Sequence, residues 1–210
     1  MRIAGKILGK TLLSLRGEVR EGVSGIELDR KAKKLIEELG GESAFLGYRP
    51  DGAKRPYPAT LCISFNEVVV HGVPSPRKIK AGDLVKLDLG VRVKGYYADA
   101  AITVPVGEIS KEAHVLVATT EKALYRGIRA ARSGNTLGDI GYAIEKAAHV
   151  HGVSVIRGLT GHGIGSNLHE DPVVYNEGKP GQGMRLKPGM TIAIEPMFSL
   201  GTRDIVQEKD

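Results

Sequence analysis

Two pairs of segments in this chain nearly repeat each other, and that repetition limits how it can fold more than any other feature. "GVSGIELDRKAKKLIEELG" runs from Gly22 to Gly40 and "GNTLGDIGYAIEKAAHVHG" from Gly134 to Gly152, with equal spacing between the flanking glycines. "KAGDLVKLD" ends at Asp88 and "KPGMTIAIE" at Glu195, each with an acid six residues after the glycine, at the end of a β-rich run. The pairs lie 112 and 107 residues apart. This spacing predicts a single α+β domain over residues 1–210, built of two similar halves, roughly 1–107 and 108–210, related by a pseudo-twofold. The acids would then converge from opposite sides.

Each member of the first pair reads as one helix. Ser24 with Glu27 three residues on is a capping-box pattern, and Ile26, Leu28, Leu35, Ile36 and Leu39 supply an apolar face. In the second member Leu137, Ile140, Ala143, Ile144, Ala147 and Ala148 do so. Another amphipathic helix is expected over residues 2–17, and a helical pattern returns in "AHVLVATTEKALYRGIRAARSG". "GYRPDGAKRP", with two glycines and two prolines, marks a loop. "ATLCISFNEVVVHGV" alternates and is β-branched, which predicts a hairpin, and "LVKLDLGVRVKGYYADAAITVPV" breaks at Lys94-Gly95 into two strands.

Composition narrows the chemistry. At 210 residues, 41% hydrophobic, the chain can bury one sizeable core. A lone cysteine, Cys62, excludes an internal disulfide and any zinc site of several thiolates, and it favours a reducing, cytoplasmic setting. No apolar run approaches the roughly 18 residues that cross a bilayer, and Lys6, Lys10 and Arg16 interrupt the N-terminal stretch too regularly for a signal peptide. The net charge of +6 suits an anionic partner, but 5% aromatics and no basic cluster interleaved with them give little basis for reading nucleic-acid sequence.

Asp88 and Asp99 fall eleven apart on either side of the Lys94-Gly95 turn. They are expected to face each other across a hairpin, where two carboxylates repel unless a cation sits between them. Alone, the pair is equally compatible with plain exposure. "GLTGHGIGSNLHEDP" adds His162 and His169, and a histidine in a glycine-rich turn is ordinarily just solvated. With Glu195 the set becomes hard oxygens plus imidazole, suited to Mn, Fe(II), Co or Zn. His71 ends an apolar run beside a Gly-Val-Pro turn, whereas His114, His149 and His151 read as ordinary helix residues.

"SFNEVVVHGVP", "LDLGVRVKGYYADA", "GHGIGSNLHEDP" and "LKPGMTIAIEPM", in this order and spacing, resemble the type I methionine aminopeptidases of the pita-bread fold, within the M24 metallopeptidases. The resemblance spans the whole chain. It implies antiparallel sheet covered by helices in two pseudo-twofold-related α+β halves, and two divalent metal ions held by Asp88, Asp99 as a bridge, His162 and Glu195. Those ions would activate water against the peptide carbonyl, with Glu195 passing the proton on. It implies that His169 steadies the tetrahedral oxyanion and that His71 contacts the substrate near the scissile amide. The methionine pocket falls to Tyr48, Tyr57 and Cys62, with Phe45 and Leu168 where the family often has cysteine and phenylalanine.

The family also has a further bridging glutamate in a terminal strand, which would lie beyond Asp210, so the chain is expected to be truncated there. The implied substrate is the N-terminal methionine of nascent peptides, met by a cytoplasmic monomer near the ribosome, with no membrane and no sequence-specific nucleic acid as partner. Two alternatives stay open: a catalytically impaired pita-bread protein acting as a binding module, and a proline-specific aminopeptidase or dipeptidase.

Overall fold

The computed structural model describes residues 1–50 and 52–207 and divides the chain into two compact units, Met1–Ile109 with Gly165–Leu168, and Ser110–Ile164 with His169–Asp210. Within the loop expected at 47–56, Asp51 lies outside the described residues, as do residues 208–210.

The first unit begins with helices α1 (Arg2–Glu18) and α2 (Gly25–Glu38). Buried residues recur at helical spacing along α1, from Ala4, Ile7 and Leu8 to Leu12 and Leu15, and along α2 at Leu28, Ala32 and Ile36. The capping box forms: Ser24 Oγ accepts from Glu27 N at 3.3 Å, and Ser24 N donates to Glu27 Oε2 at 2.7 Å. An antiparallel sheet of β1 (Glu42–Ser43), β2 (Leu61–Phe65), β3 (Leu84–Val93) and β4 (Tyr96–Pro105) follows. β4 pairs with β3 along its whole length, while β2 and β1 pair with successive parts of β3.

Because side chains alternate, Val85, Leu87, Leu89 and Val91 join Leu61, Ile63 and the helix residues in one core. Lys86, Asp88 and Gly90 are left on the other face of the sheet. The β3–β4 turn has Lys94 at φ 49° and Gly95 at φ 81°, the double positive φ of a two-residue hairpin turn.

In the second unit α3 (Lys111–Ala130) and α4 (Leu137–Val150) are capped by Ser110 and Thr136, the latter in a second capping box with Asp139. β5 (Ser154–Val155) pairs with β9 (Phe198–Ser199), and β6 (Gly161–Gly163) lies between β7 (Glu170–Val174) and β8 (Ile192–Ala193). Its core gathers Ala123, Ile140, Ile144, Ala147, Ala148, Val174, Leu186 and Phe198.

The sequence duplication is written into hydrogen bonds inside each unit. Ile79 N donates to Val23 O and Gly22 N to Ile79 O; Leu186 N donates to Asn135 O and Gly134 N to Leu186 O. Ser24 bridges Lys78 as Thr136 bridges Arg185. Each helix N-cap is thus stitched to the segment that precedes its unit's Lys-x-Gly turn.

Three expectations need correction. The hairpin expected over residues 59–73 yields only β2: Asn66 (φ 49°) and His71 (φ 59°) turn the chain away, and Asn66 Oδ1 is taken by Leu84 N at 2.8 Å. Asp88 does not end its strand but is the fifth residue of β3, which runs on to the hairpin turn; Glu195 lies two residues past β8. The stretch holding His162 is strand, not loop. Its flanking glycines serve strand contact, since a Cβ on Gly161 would lie 2.2 Å from Ala193 O and one on Gly163 2.1 Å from Asp171 O.

Candidate metal centre

In the first unit the two expected ligands, Asp88 and Asp99, sit on the sheet face away from the helices. Asp88 pairs with Ala101 and Asp99 with Gly90, so the two aspartates are diagonal neighbours on one face, not directly opposed as the spacing suggested. Both are partly buried. Cys62 is opposite Asp88 on the other flank of β3. Burial, reinforced by the Asp88 carboxylate, pushes the Cys62 thiol up, so it remains a neutral, apolar-like SH. Lys86, two residues before Asp88, donates to Asn66 O at 2.6 Å, and burial lowers its ammonium to about 8.

Of the expected pocket residues in this unit, Phe45 and Tyr57 lie beside that face. The Phe45 ring lies over Gly90, where a Cβ would come within 2.7 Å of it, and meets Tyr57 edge-on at 6.4 Å. Tyr48 O accepts from Tyr57 N at 2.8 Å. The Tyr57 hydroxyl, however, is directed at backbone: it lies 2.9 Å from Gly72 O and 3.1 Å from Leu61 O. Leu168 is buried in a segment tied to β4 by Tyr97 N donating to Gly165 O at 2.9 Å. His71 is exposed, in a left-handed backbone conformation uncommon for a residue with a Cβ.

In the second unit three expected residues come together. The His162 and His169 rings stand edge to face, 4.4 Å apart, and His162 Nε2 is 3.0 Å from Glu195 Oε1. His162 Nδ1 lies 2.8 Å from Gly163 O; a carbonyl only accepts, so Nδ1 carries the hydrogen and Nε2 presents its lone pair in the neutral ring. Glu195 Oε1 is buried and, among the described residues, meets no donor in hydrogen-bonding geometry. At that separation the pair needs a shared positive charge, a proton on Nε2 or a metal ion, and imidazole nitrogen with carboxylate oxygen is a donor pair for a divalent ion. The residues fit a metal.

One residue gave no sequence signal. Asn176, buried just after β7, donates from Nδ2 to Glu195 O at 2.8 Å and to Leu159 O at 3.4 Å, fixing the backbone beneath the Glu195 carboxylate. It sits in "VVYNEG", where nothing in the local pattern distinguishes a buried asparagine from a turn residue.

Comparison with known proteins decides the family. The family model for metallopeptidase family M24 matches residues 1–209. The chain belongs to that family. It is 45% identical over 202 residues to a methionine aminopeptidase of Clostridium perfringens, covering 96% of this chain and 79% of the relative. It superposes on crystal structures of methionine aminopeptidases from Rickettsia prowazekii (TM-score 0.94, 36% identity, 99% of this chain and 82% of that one) and Thermotoga maritima (TM-score 0.95, 37%, 100% and 82%). The α+β architecture is therefore the pita-bread fold, and the M24 chain is a hydrolase dependent on divalent metal. No helix among the described residues is long and apolar enough to cross a membrane.

Proposed function

We propose that this M24 chain removes the N-terminal methionine from peptides and that Asp88, Asp99, His162 and Glu195 would hold two divalent ions, Co, Mn, Fe(II) or Zn. The metal-site reading is supported chiefly by the buried Glu195 Oε1 lying 3.0 Å from the imidazole Nε2 of His162, a carboxylate–imidazole pair of the kind that holds a divalent ion. Relatives at about this identity carry the methionine aminopeptidase name, and neither a binding module nor a proline-specific peptidase finds support among them.

Bound divalent ions supply a water of lowered pKa and a polarised carbonyl. The side chains do the rest. The Glu195 carboxylate accepts a proton and returns it to the leaving amine. His169, beside His162, donates a hydrogen bond to the tetrahedral oxyanion, and His71 contacts the substrate near the scissile amide. Phe45, Tyr48, Tyr57, Cys62 and Leu168 form the methionine pocket, where a neutral Cys62 thiol suits an unbranched thioether. The chain acts as a cytoplasmic monomer on nascent peptides near the ribosome.

The test is methionine release from a Met-Gly-type peptide by chelator-treated protein with Mn(II) or Co(II) restored. Release that depends on the added ion is expected. Metal binding without release from any N-terminal methionine peptide would overturn the substrate assignment.

A further inference from the structure

His71 holds a left-handed φ of 59° on an exposed turn, and the groups that keep it there act on the next peptide. Gly72 N donates to Ser64 Oγ at 3.1 Å. Gly72 O accepts from Ile63 N at 2.8 Å and from the Tyr57 hydroxyl at 2.9 Å. Gly72 is pressed so close to β2 that a Cβ would stand 2.2 Å from Ile63 O. Both peptide planes that follow His71 are therefore fixed, and with them the direction in which its imidazole leaves the backbone.

We propose that the Tyr57 hydroxyl is a positioning group that aims His71, a role distinct from lining the methionine pocket. The inference rests on the reading of His71 as a substrate-contacting residue. The hydroxyl has one hydrogen, and Gly72 O at 2.9 Å is the nearer of the two carbonyl acceptors in reach, with Leu61 O at 3.1 Å, so its bond holds the returning chain at Gly72. Its own anchorage is rigid: Tyr57 N donates to Tyr48 O, Tyr57 O accepts from Gly47 N, and Phe45 meets the ring edge-on. Burial pushes the phenol far up, so it stays a donor at every working pH. Ser64, itself buried, grips the same glycine from its amide side.

The experiment compares Tyr57→Phe, Ser64→Ala, His71→Ala and the Tyr57→Phe/His71→Ala double variant, each as the full Mn(II)-loaded chain on a Met-Gly-type peptide. Tyr57→Phe is expected to lower kcat about 10- to 100-fold, the scale of a misaimed catalytic contact, with KM changed less than about twofold. In the His71→Ala background the same change should add less than about twofold, because the group it aims is gone. Ser64→Ala should reproduce the kcat loss, and amide hydrogen exchange at Gly72 should accelerate in the metal-free Tyr57→Phe protein.

A rise in KM instead of a fall in kcat, or full additivity in the double variant, overturns the inference and makes the hydroxyl a substrate contact. Loss in His71→Ala with wild-type kcat in both Tyr57→Phe and Ser64→Ala refutes this inference alone. Wild-type kcat in His71→Ala removes the role of His71 and the inference with it.

Discussion

At the scale of single residues, the two histidines seven apart in "GHGIGSNLHE" differ in surroundings. His162 sits on β6 between two strands, partly buried, its Nδ1 committed to Gly163 O and its Nε2 beside a buried carboxylate oxygen; His169 is exposed against its ring. The first geometry suits a ligand and the second a donor to substrate. His162→Ala is therefore expected to abolish tight Mn(II) binding measured by calorimetry, whereas His169→Ala should keep the Mn(II) affinity within a few-fold and lower kcat by on the order of 100-fold, as for loss of an oxyanion donor. Equal loss of metal in both variants would refute the division. Both residues could be picked out from the sequence, because histidine among glycines is conspicuous. Their different roles could not be read from spacing and came only with the family resemblance, and the Asn176 brace under Glu195 left no local mark at all.

At the scale of elements, legibility followed how local the cause is. The Ser24–Glu27 capping box was readable from three-residue spacing, since its bonds close within one turn, while the matching Thr136–Asp139 box was found only in the structure. Glu27 is held down to about 2, first by the Ser24 hydroxyl and then by Lys78. A carboxyl lowered on folding contributes stability that is present above its unfolded value of 4.5 and lost as pH falls through the folded one. The melting temperature of the wild type should therefore exceed that of Glu27→Gln at pH 7, and the gap should close between pH 4.5 and about 2; a gap independent of pH would mean the charge is not what caps α2.

The failed hairpin after β2 has a non-local cause, for Asn66 is drawn into bonds with Leu84 and Asp83, some eighteen residues on. Glycines show the same contrast. Gly5 on α1 faces open space, so Gly5→Ala should stabilise by about 0.5–1 kcal/mol through helix propensity. Gly163→Ala, whose Cβ meets Asp171 O at 2.1 Å, should destabilise by about 3 kcal/mol. Urea unfolding of the two variants measures both, and a tolerated Gly163→Ala would show that the β6–β7 contact is looser than the backbone indicates.

At the scale of the whole molecule, the proposed ligands are drawn from distant parts of the sequence, at positions 88, 99, 162 and 195, and no short motif contains them. The repeat predicted two equivalent acids, but the structure gives them different settings, one within a ten-residue strand and one beyond a two-residue strand. A duplicated sequence pattern thus fixed where carboxylates recur while the packing around each decided what it does. If these residues bind metal only in the folded chain, the ion must stabilise the fold by mass action, since a ligand that binds the native state alone shifts unfolding by RT ln(1 + [L]/Kd). At Mn(II) near 100 times its Kd this is about 2.7 kcal/mol, or roughly 5–10 °C in melting temperature for a chain of this length. Excess chelator should erase the shift, and His162→Ala should melt at one temperature with or without Mn(II). A shift of the same size in His162→Ala would place the stabilising ion elsewhere on the molecule and separate metal binding from the Glu195 carboxylate.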